Sequence, residues 1–171
     1  MSEIFKFPNP VNEYAARSTA GLVVVLAVVS IIVNGPWLYG ILALGFLLRV
    51  LSGPTLSPFG QLSVRYIAPR FGPAKLVPGP PKRFAQAVGL TFSLTAFILS
   101  LAGVGLGAQI VIGLLVVAAL LESVGGICLG CITFGWLQRR GVIPDSVCEA
   151  CNDVSYLYAN KSATSDKSAA N

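Results

Sequence analysis

Residues 18–48 read STAGLVVVLAVVSIIVNGPWLYGILALGFLL and contain no Asp, Glu, Lys or Arg. The hydrocarbon core of a bilayer is about 30 Å thick and is spanned by about 20 apolar helical residues. The stretch is too long for one span, long enough for two short ones, and broken by the turn signal Asn34-Gly35-Pro36. A soluble amphipathic helix would interleave charges along its exposed face, and none occur here. Residues 84–121 repeat the pattern: FAQAVGLTFSLTAFILSLAGVGLGAQIVIGLLVVAALL is uncharged and breaks at Gly103-Val104-Gly105. The two stretches predict helices at 15–33, 37–51, 84–101 and 106–124. The fold class is therefore an all-α membrane protein with four transmembrane helices arranged as two hairpins.

Only 11% of the 171 residues are charged, against about 25% in soluble domains, and mean hydropathy is +0.75. The net charge of +5 is clustered. Lys6 precedes the first helix and Arg17 lies in its first turn. Arg49 lies in the last turn of the second, Arg65, Arg70, Lys75, Lys82 and Arg83 fall between the second and third, and Arg139 and Arg140 follow the fourth. Neither tight turn carries a charge. Positive charge marks the cytoplasmic side, so both termini and the central loop are expected inside and both turns outside. Trp37 and Tyr39 then sit in an outer aromatic belt. This excess of Lys and Arg reports topology, and no nucleic-acid partner is expected. A multi-pass protein of the inner (plasma) membrane is expected, without a cleavable signal peptide, because Glu3, Lys6 and Glu13 precede the apolar run.

The chain divides into a cytoplasmic segment 1–14, hairpin 15–51, a proline-rich cytoplasmic loop 52–83, hairpin 84–124, a cysteine-rich cytoplasmic segment 125–158 and a small polar, disordered tail 159–171. Residues 52–82 hold seven prolines and cannot form one helix. Within them SPFGQLSVRYIAP, residues 57–69, suits a short interfacial helix with Leu62, Tyr66 and Ile67 toward lipid and Arg65 toward water. A faint internal repeat runs through the chain. RSTAGL at Arg17 matches RFAQAVGL at Arg83, and setting Arg49 against Glu122 also sets Gly53 against Gly126 and Leu56 against Leu129. Such a pattern suggests two hairpins related by an axis along the membrane normal.

All four cysteines lie in two pairs, Cys128-Leu129-Gly130-Cys131 and Cys148-Glu149-Ala150-Cys151. One reading is thiol–disulfide exchange, in which one sulfur of a pair attacks and the other resolves. Gly125-Gly126 is expected to end the fourth helix and to place Cys128 at the N-terminus of a new helix, 127–138, where a thiolate is favoured. Cys128 is then the attacking and Cys131 the resolving residue. The chain has no histidine, which excludes a Cys-His nucleophile. The other reading is structural zinc held by Cys128, Cys131, Cys148 and Cys151, whose spacing fits C-x2-C-x15–20-C-x2-C. No other cofactor motif is present.

Glu122 is the sole acidic residue within a predicted span, and such residues are paired or functional. Arg49, at matching depth in the second helix, is its expected partner. Glu122 is also a candidate proton acceptor for a cysteine thiol, a role that requires the helix to break at Gly125-Gly126.

VNEYAARSTA, SPFGQL, PPKRFAQAVG and GICLGC together resemble the bacterial integral membrane family known as domain of unknown function 4395, over nearly all of the chain up to about Asp153. The resemblance implies a small helical inner-membrane protein from a bacterial, actinobacterial source. It also hints at sulfur or thiol chemistry beside a thioredoxin-like or rhodanese-like partner. Three functions stay open: a membrane thiol-redox or sulfur-relay protein, a non-enzymatic scaffold with a four-cysteine zinc site, and a small transporter of a sulfur species that works as a homo-oligomer.

Overall fold

The computed structural model describes residues 9–144. Asn12 accepts a hydrogen bond from the Tyr14 N–H (3.0 Å) and caps α1, Glu13–Val33, whose first turn carries Glu13 against the positive end of the helix. The helix stops at Asn34, which takes the left-handed conformation at φ 52°. Gly35 and Pro36 then start α2, Pro36–Ser52. In the central segment α3, Pro58–Leu62, continues into a π-helical turn, Ser63–Ile67, and a 3-10 turn, Ala68–Phe71. Beyond it α4 spans Gly79–Leu101 and α5 spans Gly105–Gly125, joined by Ala102 to Val104. The short α6, Leu129–Arg139, follows.

The long helices meet at both ends. Arg17, early in α1, donates from Nε to the Ser123 carbonyl (3.2 Å) and from Nη2 to the Val124 carbonyl (2.7 Å) at the end of α5. Arg83, early in α4, donates from Nε to the Val50 carbonyl (3.0 Å) at the end of α2. These two cations satisfy carbonyls that helix C-termini leave unpaired. At the opposite end Gln109 Nε2 donates to the Ile31 carbonyl (3.4 Å), and Asn34 lies against Gly105. The repeat in the sequence is thus mirrored in contacts. Arg17 and Arg83 correspond in one of the two matched stretches and Val50 and Ser123 in the other, and each arginine holds the other half's helix end. Accordingly α1 packs mainly on α5 and α2 mainly on α4, the same contact with the halves exchanged.

Side-chain distribution is that of a protein in lipid. Ile32 and Trp37 are 76% and 80% exposed, and Val25, Ile41, Ile98, Leu106 and Leu114 also face outward. The hydroxyls of Thr19, Ser30 and Ser93 are buried, each donating to the carbonyl four residues back. An apolar exterior of this extent would be unstable in water but matches acyl chains. Three helices, α1, α4 and α5, are long and apolar enough to cross a membrane, and α2 is a shorter apolar helix of 17 residues. The chain is a multi-pass membrane protein.

The interior is built from large side chains set against small ones, as close helix packing in membranes requires. Val23, Ala27, Leu42, Phe46, Ala96 and Ile112 form its centre. The Phe46 ring fills the space where Gly89 has no side chain, and a Cβ at position 89 would overlap that ring. Gly89→Val is therefore expected to lower stability by about 1–3 kcal/mol, the cost of overpacking. Adding Phe46→Leu should recover part of the loss. Thermal unfolding in detergent measures both, and equal loss in the single and double variants would show that the two positions do not meet.

Two features depart from the sequence expectation. First, α4 starts at Gly79, five residues earlier than expected, because Pro80 and Pro81 fall in its first turn, where a missing N–H costs nothing. Lys82 and Arg83 therefore lie on the helix rather than in the loop. Second, the proline-rich segment is held to the start of α1. Strands β1, Val11–Asn12, and β2, Leu76–Val77, pair antiparallel, and Lys75 Nζ bonds the Glu13 carboxylate at 2.9 Å. In the expected interfacial helix Leu62 and Tyr66 are exposed, while Gly60 packs against Pro54.

Candidate functional site

The site forms where α5 ends. Gly126 takes the left-handed conformation at φ 67°, and its N–H returns to the Glu122 carbonyl (3.1 Å) while Ile127 N–H returns to that of Leu121 (3.0 Å). A side chain at 126 would be strained by the positive φ, and its Cβ would touch Arg17 and Glu13 at 3.4 Å. The reversal makes Cys128 the N-cap of α6. Its Sγ accepts the Cys131 N–H at 3.4 Å, the bond that serine or aspartate makes at other helix starts. Both thiols are free, Cys128 buried and Cys131 half-buried. The α6 helix is pressed onto α4. Phe134 packs edge-on against Phe84 with ring centres 5.8 Å apart, and a Cβ at Gly130 would come within 2.6 Å of Ala85 Cα.

This geometry separates the two thiols. A hydrogen bond from the Cys131 side chain holds the Cys128 thiol below the ordinary cysteine range, outweighing burial and the Glu122 charge that oppose it; Lys82 and the Cys131 N–H add to the lowering. The Cys131 thiol is pushed up, first by that same bond to Cys128 and then by burial. The thiolate is therefore favoured at Cys128 over Cys131.

Glu122 does not pair with Arg49, as its position in the sequence suggested. Its Oε1 lies 2.7 Å from Lys82 Nζ, with the two side chains 13% and 8% exposed. Lys82 reaches the carboxylate because α4 begins at Gly79. Arg49 instead turns back along its own helix, donating from Nε to the Gly45 carbonyl (2.9 Å) and stacking its guanidinium 4.3 Å over the Phe46 ring. Lys82 is the functional candidate the sequence reading missed. The signal lay in Pro80-Pro81, which mark a helix start as well as a loop.

Glu122, Arg49 and Cys128 do share one space. A cavity of about 430 Å3 between the long helices is lined by Phe46, Arg49, Gln86, Gly89, Glu122 and Cys128, among others. A smaller one of about 220 Å3 lies toward β1 and the central segment, against Asn12, Gly60, Val64 and Lys82. Arg49 and Gln86 line both.

The family described as a domain of unknown function (DUF4395) matches residues 11–139 of this sequence. The chain belongs to the DUF4395 family. The DUF4395 match runs from β1 to the end of α6, and so contains Cys128 and Cys131, Lys82, Glu122 and Arg49. It stops before Cys148 and Cys151, which lie outside the described residues. Among the described residues no three His, Cys, Asp or Glu side chains are grouped closely enough to hold a metal ion. No curated protein and no solved structure matches the chain.

Proposed function

We propose that this DUF4395 protein is a thiol-redox or sulfur-relay protein of the inner membrane. It crosses the bilayer four times, as two hairpins, with both termini and the Cys128-Cys131 pair on the cytoplasmic side. The observation that carries the reading is the placement of Cys128 Sγ at the N-cap of α6, bonded by the Cys131 N–H, in a residue that lines the same cavity as Glu122.

The Cys128 thiolate attacks one sulfur of a partner's disulfide. A mixed disulfide forms and the partner's second sulfur leaves as thiolate. Cys131 gives up its proton, for which Glu122 is the nearby carboxylate, and attacks the Cys128 sulfur. The Cys128–Cys131 disulfide forms and the partner's first sulfur leaves, so two electrons pass from this protein to the partner. The partner is a cytoplasmic thioredoxin-like or rhodanese-like protein.

The thiolate assignment sets a pH dependence. Only the thiolate alkylates, so reactivity rises with pH through the thiol pKa. Because that pKa is lowered at Cys128 and raised at Cys131, Cys128 should label at neutral pH and Cys131 only under strongly alkaline conditions. Competitive alkylation with mass spectrometry on native membranes measures this. Protection of all four cysteines until a chelator is added would instead establish the zinc scaffold. Topology is tested by reporter fusions active only outside the cytoplasm: none of the signal is expected at Asn171, and signal there but not at Asn34 would reverse the orientation.

A further inference from the structure

Among the described residues the Arg49 guanidinium is the least balanced charge of the interior. Arg49 is only 4% exposed, and no carboxylate of those residues lies within 4.0 Å of it. Its one hydrogen bond to protein uses Nε, which leaves the two terminal nitrogens of the fork without a protein acceptor among those residues. Two cations, Arg49 and Lys82, face one carboxylate, Glu122, and Lys82 already neutralises it. One net positive charge remains on the walls of the paired cavities while Cys128 is a thiol, and its thiolate would offset that charge. A buried cation is costly unless a counter-charge accompanies it. The pseudo-symmetry places the larger cavity where the two halves meet, the position at which repeat-built transporters hold their substrates.

We propose that this cavity binds a small sulfur anion, hydrosulfide or thiosulfate, with Arg49 as its counter-ion. Arginine suits the task because its fork presents several donors to one anion. The charge of the ligand follows from Arg49 alone. Its sulfur content rests on the thiol reading, since Cys128 lines the same space. The smaller cavity, bounded by β1 and the central segment, continues past Arg49 and Gln86 on the other side and supplies an approach from the basic face.

The test uses the full chain purified in detergent with its cysteines kept reduced and gluconate as the background anion. Thiosulfate and hydrosulfide are titrated in separate arms, with sulfate and chloride as controls, and thermal unfolding is followed, because a ligand that binds only the folded state raises Tm with its concentration. At least one sulfur anion is expected to raise Tm, and to do so at least as strongly in Cys128→Ser, which keeps the counter-ion and removes a like charge from the cavity wall. Arg49→Gln should abolish the shift. Arg49→Lys, which keeps the charge and loses the fork, should require at least tenfold more ligand and guards against misfolding of the glutamine variant. No shift from either sulfur anion in the natural protein would overturn the anion site while leaving the Cys128 alkylation pattern to judge the thiol reading separately. Equal shifts from sulfate or chloride would overturn the sulfur assignment.

Discussion

Cys131→Ser is expected to leave a mixed disulfide on Cys128, stable enough to isolate from native membranes by non-reducing electrophoresis and mass spectrometry. The attacking sulfur keeps its N-cap bond in this variant, because the Cys131 N–H that bonds Cys128 Sγ belongs to the backbone. What is lost is the thiol that would displace the partner, so the first bond forms and the second step stops. The trapped protein would name the physiological partner. The serine hydroxyl can still donate toward Cys128, so the lowering of the Cys128 pKa should be reduced without being lost. Cys128→Ser should trap nothing, since Cys131, with its thiol pushed up, makes a poor nucleophile at neutral pH. Equal trapping by the two variants would overturn the division of roles.

The Lys82–Glu122 pair gives the second large effect. Removing either charge strands the other where little water reaches it, a loss of about 3–5 kcal/mol for a buried pair. Lys82→Met and Glu122→Gln should each show it as a lower Tm in detergent, and the double variant should lose much less than the sum of the two. Additive losses would mean that the side chains do not interact. Stability alone does not separate a strut from a tuning element, but the alkylation profile of Cys128 does. Lys82 lowers the Cys128 pKa and Glu122 raises it. Lys82→Met should therefore move the pH midpoint of labelling upward, and Glu122→Gln should move it downward. Shifts in the same direction in both variants would point to disturbed packing instead of lost charge.

The helices of this protein were legible because the bilayer imposes a coarse rule, an uncharged run of sufficient length, that needs no knowledge of neighbours. Their ends followed where a residue acts locally. Asn34 and Gly126 stop helices through their own backbone conformation, and the separation of Cys128 from the preceding helix follows from Gly126 alone. The start of α4 did not follow, because Pro80-Pro81 are equally at home in a loop and in a first helical turn. That single boundary misdirected the ion pair. With Lys82 read as a loop residue, Arg49 was the remaining cation at the depth of Glu122, whereas the folded chain brings Lys82 Nζ to 2.7 Å. The β1–β2 pairing left no trace either, since two residues per strand carry no periodicity.

Composition and near neighbours along the chain were enough to establish its membrane class, the four apolar helices, the breaks between them and the grouping of Cys128 with Cys131 at a helix start. Each depends on residues a turn or less apart or on none in particular. Which charges meet, and that Arg49 finds no carboxylate among the described residues, emerged only on folding. Arg49 turns back on Gly45 and Phe46, and Glu122 meets Lys82 forty residues away. The exchange of arginine contacts between the halves sets α1 on α5 and α2 on α4. The physical reason is that a buried charge selects its partner by distance across the packed helices, and those distances exist only once the two halves have come together.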